Sequence, residues 1–407
     1  MTKKVLYISY DGMTDPLGQS QVIPYLKGLS KMGYRFCLVS AEKKVKFIQQ
    51  GAAIQKELSE NNIEWHPVNY SNNLPGISAF LTHNRLLKKA WQLQREEAFH
   101  IVHCRSYIPS LIGLQMKRKL GVKFIFDMRG FWADERVEGG IWNLSNPLYR
   151  KAYDFFKKKE KEFLQESDAI VSLTTSGSNE IIAWRDLQPI SKKVNVIPCC
   201  ADQDLFSQDH LDTNKKQQWS AQLGIKANSY VLCYSGSMGT WYMLEEMLHF
   251  FQCLLNHQPA AIFLIITPDK PAPIYEAALK YGIDKSKLSI TSAQRAEMPY
   301  LISLCNASVF FIRNTYSKKA SSPTKLGEIM SMGLPVVCNS GIGDVDEIVR
   351  TMNAGIVIDV LDTEHFDVAA RQLLNTAFSK TDITAAANTY FSLKKGVDSY
   401  RKIYETL

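Results

Sequence analysis

Short apolar runs alternating with helix-length amphipathic stretches recur along the whole chain, and no other feature limits its fold as much. In the first half the runs are Lys4–Tyr10 (KVLYISY), Phe36–Ala41, His100–Ser106, Val122–Gly130, Asp168–Thr175 and Val194–Cys200. In the second half they are Tyr230–Gly236, Ala261–Thr267, Leu288–Ala293, Ala307–Ile312 and Pro335–Ser340. Runs this short and this apolar predict strands covered on both faces, and strands spaced by helices predict parallel sheets. A chain of 407 residues exceeds one ordinary core, so the rhythm predicts two doubly wound α/β domains. No sequence repeat relates the halves.

Other classes drop out on composition. No window reaches the ~18 to 20 uninterrupted apolar residues of a membrane span. The basic start MTKKVLYISY is too short and β-branched for a signal peptide and reads as a first strand, so a cytoplasmic location is expected. The eight cysteines suggest buried thiols: Cys37, Cys233, Cys305 and Cys338 lie in or beside strand-like runs, and the adjacent Cys199 and Cys200 suit neither zinc nor a disulfide. No metal or redox role is assigned. A dinucleotide-dependent oxidoreductase would need Gly-x-Gly-x-x-Gly after a strand, and the first strand–helix turn offers only Gly12 and Gly18.

Charge is uneven. Residues 1–198 hold 29 Lys+Arg against 19 Asp+Glu, and residues 199–407 hold 19 against 21, so the excess of +8 sits entirely in the first half. The basic runs Arg85–Lys89, Lys117–Lys119 and Lys157–Lys161 read as solvated helix faces or as a surface drawn to an anionic bilayer. No recognised nucleic-acid-binding motif accompanies them.

The chemistry concentrates in Ala307–Val337. An apolar strand leads into a loop with Arg313, Lys318, Lys319, Ser321 and Ser322, and then to a helix opening at Pro323 with Leu326, Ile329, Met330 and Met332 on its apolar face. Backbone N–H groups at that helix start, its dipole and Lys325 would receive an anion. Glu328, one turn on, suits hydroxyls. Diphosphate plus ribose is the ligand this suggests.

SPTKLGEIMSMGLPVV resembles the donor-site signature of family 4 retaining glycosyltransferases, in the branch with Pro-Ser-Lys ahead of the glutamate; Lys325 and Glu328 are in register and Ala320 replaces a first glutamate. IPCCADQDLF (Ile197–Phe206) is similar to the family's interdomain linker, and DPLGQSQVIPYL resembles a subgroup acting in bacterial cell-surface polysaccharide synthesis. The resemblance implies the GT-B fold, two Rossmann-like domains facing a cleft. Residues 1–198 would bind acceptor, 199–385 the nucleotide-sugar donor, and a helix in 386–407 would cross back to the first domain.

The resemblance also distributes roles. Donor contacts would come from Gly18, Gly236, Ser237, Lys318, Ser322, Thr324, Lys325, Leu326 and Glu328. Arg313 and Lys325 would stabilise the departing diphosphate. Asp127 and Arg129, in FDMRGFWADERVEGGIW (Phe126–Trp142), would serve catalysis, with Arg105, Asp134 and Glu135 on the acceptor side; a purely structural ion network is the alternative there. His103 reads as a packed core histidine, and Arg295 is a weak candidate for a base contact. Ser237 stands where the family usually has arginine, and Trp241 and Tyr242 stand near its lysine, so the Arg313–Glu328 stretch would carry most of the charge neutralisation. No cofactor is expected beyond the donor itself, and metal-independent front-face transfer to a glycan or lipid-linked acceptor is implied. A nucleotide-sugar epimerase or a non-catalytic sugar-nucleotide-binding subunit are the rivals.

Overall fold

A computed structural model describes residues 3–71 and 77–407. It divides into two compact units: residues 1–198 with Leu393–Leu407, and Cys199–Ser392.

The first unit is built on β1 (Lys4–Ser9), β2 (Arg35–Glu42), β3 (Ile63–Asn69), β4 (Ile101–Arg105), β5 (Lys123–Asp127), β6 (Ala169–Ser172) and β7 (Val194–Val196). They form one sheet in the order β3-β2-β1-β4-β5-β6-β7, with every pair parallel. Leu6, Ile8, Leu38, Val102, Ile125 and Ile170 are fully buried, as strands covered on both faces require. β3 was not among the expected strands. Its sequence IEWHPVN contains a proline and alternates in burial, which an edge strand tolerates.

The second unit carries β8 (Val231–Ser235), β9 (Ile262–Ile266), β10 (Leu288–Thr291), β11 (Ala307–Phe310), β12 (Val336–Asn339) and β13 (Gly355–Ile358). Their order is β10-β9-β8-β11-β12-β13, again all parallel. β13 was also not foreseen: GIVI is four residues long and opens on a glycine. A Cβ at Gly355 would stand 1.9 Å from the Val336 carbonyl oxygen, so only glycine lets this edge strand pair.

The expected 386–407 segment is divided. The helix Lys380–Tyr390 belongs to the second unit, while the helix Leu393–Thr406 belongs to the first. There a Cβ on Gly28 would meet Val397 at 2.6 Å, and Tyr400 and Tyr404 are buried. The amphipathic stretch Gln21–Gly33 carries the helix Ile23–Lys31, and a separate short helix, Pro16–Gln21, precedes it. No helix among the described residues is long and apolar enough to cross a membrane.

Candidate active site

In the second sheet the strand order reverses between β8 and β11, the place where open parallel sheets bind ligands beyond their strand ends. Gly236 follows β8 directly with φ 126°, a conformation that strains any residue with a side chain. Beyond β11, the side chain of the buried Asn339 replaces a missing ladder neighbour, accepting from Ile312 N at 2.8 Å and donating to Ile312 O at 2.9 Å. The chain then makes a 3₁₀ turn (Tyr316–Ala320) and reaches Pro323, whose φ of −66° caps the helix Thr324–Ser331. Leu326, Ile329 and Met330 anchor that helix in the core.

This anchoring carries Lys325, in the first helical turn, inward. It is 8% exposed, and its Nζ has no hydrogen-bond partner among the described residues. A Cβ at Gly236 would lie 3.0 Å from that nitrogen. Three rings flank it, with centroids at 3.6 Å (Tyr242), 3.9 Å (Tyr234) and 5.9 Å (Phe310). Burial pushes the ammonium's pKa well below the ordinary lysine value, against the pull of Glu328. An unpaired buried ammonium is costly, and an anion is the partner that relieves it.

Lys318 is also buried, with Nζ 3.6 Å from the Trp241 ring centroid. Trp241 and Tyr242 are fixed by backbone bonds to the segment after β11: Arg313 N donates to Trp241 O, Met243 N donates to Phe311 O, each at 2.9 Å, and Tyr242 bridges Ile312 antiparallel. Glu328 accepts from Arg295 Nη1 at 2.6 Å, and the Arg295 guanidinium lies 5.2 Å over Phe206. Burial raises the Glu328 pKa although Arg295 opposes it. Arg295 therefore meets Glu328, a pairing its position in sequence did not suggest.

The remaining donor-side candidates are placed less uniformly. Arg313 is exposed, as is Ser237, whose carbonyl accepts from the Tyr234 hydroxyl at 2.7 Å. Ser322 Oγ accepts from Cys199 N at 3.1 Å. Thr324 is half-buried and Leu326 is core. Gly18 requires a correction. It lies inside the helix Pro16–Gln21, not in a loop, and is buried. Its missing Cβ would stand 2.2 Å from Gly12 O and 2.6 Å from Met13 Cα, so the space is filled by this chain's own backbone. That neighbouring loop is held by Glu42, which accepts from Met13 N (2.7 Å), Thr14 Oγ1 (2.6 Å) and Ser40 Oγ (2.6 Å). Glu42 is 3% exposed, and nothing in the sequence pattern singled it out.

In the first unit the sheet order reverses between β1 and β4. Arg105, at the end of β4, donates from Nε to Asp11 Oδ2 at 3.2 Å. Asp127, ending β5, is 1% exposed. Its Oδ2 accepts from Tyr400 Oη at 3.0 Å and lies 3.5 Å from His103 Nε2, while Arg129 Nη1 is 3.9 Å from Oδ1. Burial would raise the Asp127 pKa, but Arg129, His103 and Arg105 hold it below the ordinary value. His103 is packed among Tyr7, Tyr400 and Tyr404 and hydrogen-bonded to the Tyr404 hydroxyl at 2.7 Å. Arg129 has φ 59°, outside the usual range for a side-chain-bearing residue. Asp134 turns to the helix Pro147–Glu166, accepting from Tyr153 Oη and Lys157 Nζ, each at 2.8 Å. Glu135 shares the short helix Trp132–Glu138 and is half-buried.

Among the described residues, one group has the composition of a metal site: ligand atoms of Cys37, Glu64 and His66 lie within 4.8 Å of one another. Glu64 is already engaged there by His66 at 2.9 Å and Arg35 at 3.5 Å, and Cys37 Sγ donates to it at 3.4 Å.

Comparison with known proteins agrees with this architecture. Residues 22–205 match the family described as Glycosyltransferase Family 4, and residues 215–389 match Glycosyl transferases group 1. The chain belongs to the family 4 type of GT-B glycosyltransferases. No protein of curated function matches the sequence. Among solved structures it is similar to a glycosyltransferase from Rickettsia africae (15% identity, 100% of this chain and 98% of that one, TM-score 0.73). It is also similar to Anabaena Alr3699/HepE in complex with UDP and glucose (12%, 100% of both chains, 0.72). A third is WaaG, a glycosyltransferase involved in lipopolysaccharide biosynthesis (14%, 97% and 98%, 0.68). At these identities the likeness concerns the fold.

Proposed function

We propose that this glycosyltransferase moves a sugar, with retention, from a nucleoside diphosphate to the hydroxyl of a glycan or lipid-linked acceptor in cell-surface polysaccharide synthesis. The observation that carries the donor half of this reading is the Lys325 ammonium, buried, without a hydrogen bond and beside the bare backbone of Gly236.

A diphosphate at this nitrogen supplies the missing anion. As the bond from the sugar C1 to the phosphate oxygen breaks, charge builds on the diphosphate; Lys325 and the N–H groups opening the helix Thr324–Ser331 stabilise it without rearranging. Lys318 and the exposed Arg313 add positive charge. The acceptor oxygen bonds to C1 on the face the phosphate leaves, and its proton passes to the leaving phosphate oxygen, so no protein nucleophile is used. Glu328, oriented by Arg295, takes ribose hydroxyls. In the first unit Asp127 positions Arg129 and Asp11 positions Arg105; the two arginines meet the acceptor, and Asp134 and Glu135 border that region.

The reading assigns charge neutralisation to side chains, so activity should survive chelation of divalent ions. UDP is the first nucleotide to try, as it is bound in the Anabaena structure. The test is turnover and product anomer. Lys325→Ala should lower turnover by at least ~10²-fold, the loss expected for one preorganised donor, and the product should keep the donor's anomeric configuration by NMR. Near-normal turnover in the variant defeats the site, and an inverted product defeats the mechanism. Isomerised donor in the absence of acceptor would indicate the epimerase instead.

The first unit's basic excess is proposed to favour an anionic membrane surface. Ion pairs engage part of the basic runs and leave that net excess unchanged: Lys157 meets Glu160 and Asp134, Lys159 meets Glu162, Lys117 meets Asp168, and Arg118 meets Glu162 and Glu166. Flotation with anionic vesicles at low and high salt decides it; binding without salt dependence, or none, overturns the proposal.

A further inference from the structure

Trp241 and Tyr242 occupy a stretch where this family more often places a cation, and each presents its ring to a buried lysine. We infer that Trp241 and Tyr242 are positioning residues of the donor site: their π faces hold the Lys318 and Lys325 ammonium groups in place to receive the donor's diphosphate. This rests on the reading of the donor site given above and adds residues that no ligand contact would reveal.

The geometry is specific. Lys325 Nζ lies 3.6 Å from the Tyr242 centroid and 3.9 Å from that of Tyr234, and the two rings meet edge to face at 5.7 Å and 67°. Lys318 Nζ lies 3.6 Å from the Trp241 centroid. All three distances fall well inside the ~6 Å over which a ring quadrupole attracts a cation. The aromatic pair does not drift, because the backbone bonds to Phe311 and Arg313 tie it to the same segment that delivers the lysines. Tyr234 is fixed from the strand side by its hydroxyl bond to Ser237 O.

The arrangement answers a physical problem. The Lys325 ammonium, taken from water and without a hydrogen-bond partner among the described residues, would tend to shed its proton or turn back to solvent. Ring faces offer negative potential without offering a hydrogen-bond acceptor, so they hold the charge in position while leaving its N–H groups for an arriving anion. A carboxylate in the same place would compete with the diphosphate. Tyr242 thereby makes Lys325 effective toward an anion, while the Trp241 ring fixes the position of the Lys318 ammonium.

The test is calorimetric titration of the full chain with UDP, GDP and ADP. The nucleotide that binds the unaltered protein most tightly is carried forward. Tyr242→Leu should weaken it about tenfold, as expected for a desolvated cation–ring contact, while Tyr242→Phe should stay within about twofold. Phenylalanines carrying one to four ring fluorines at position 242 keep the shape and drain the ring's negative face; affinity should fall stepwise with each fluorine while the melting temperature holds. Trp241→Leu and Trp241→Phe should divide in the same way. Equal affinities for the leucine and phenylalanine variants, or a flat fluorine series, overturn the inference. The donor-site reading fails separately: Lys325→Ala would then bind as the unaltered chain does, or no nucleotide would bind at all.

Discussion

Arg295 Nη1 donates to Glu328 Oε1 at 2.6 Å, tying the loop after β10 to the helix that carries Lys325. Glu328 is 8% exposed, so its charge depends on this one cation and on Lys325. Arg295→Met should therefore destabilise the second unit by about 3 kcal/mol, the cost of leaving a buried charge unpaired. Burial already raises the Glu328 pKa above the ordinary glutamate value in the folded chain, and without Arg295 it should rise further. A raised carboxyl favours folding as it becomes protonated, so the variant's deficit should shrink between pH 7 and pH 4.5. Urea unfolding at both pH values checks this; a deficit independent of pH contradicts it.

Lys325 should show the opposite trade. Its folded pKa is depressed by burial, so at neutral pH the unfolded chain binds the proton more readily and the lysine costs stability. Lys325→Met, similar in length and apolar, should raise stability by about 1–2 kcal/mol at pH 7. That gain should fade as the pH approaches 10.5, where the unfolded lysine also loses its proton. Donor binding should be lost in the same variant. Thermal melts at pH 7 and pH 10 measure the first effect, and a destabilised variant at pH 7 would contradict it.

Gly18→Ala tests the close packing of that glycine inside its helix. The added Cβ would press on Gly12 O at 2.2 Å and Met13 Cα at 2.6 Å. Both are backbone, and the loop is pinned by Glu42, so neither can yield cheaply. A loss of about 2 kcal/mol is expected, in the usual range for overpacking. A variant as stable as the unaltered chain would show that the loop gives way after all.

Much of this was legible in sequence because it rests on periodicity. The apolar runs around Leu6, Val102, Leu232 and Val309 had one reading, strands covered on both faces. β3 and β13 escaped because edge strands relax the pattern: Pro67 and Gly355 look like breakers until their position at a sheet edge is known. Lys325 and Glu328 could be picked out by resemblance, but their surroundings could not. The cage around Lys325 joins Tyr234, Tyr242 and Phe310 across nearly a hundred residues, and no local spacing encodes it. The same holds for Asp127, whose partners His103 and Tyr400 come from another strand and from the last helix. Glu42 was invisible for a plainer reason, since one acid at a strand end has no signature until the loop it organises is seen.

The central claim is that Lys325 receives the donor's diphosphate. A crystal structure of the full chain soaked with UDP, GDP or ADP tests it most directly. The account predicts a phosphate oxygen at about 2.7–3.2 Å from Lys325 Nζ, lying over the backbone of Gly236 and before the helix Thr324–Ser331. A nucleotide bound with its diphosphate elsewhere, and Lys325 still without an acceptor, would contradict it.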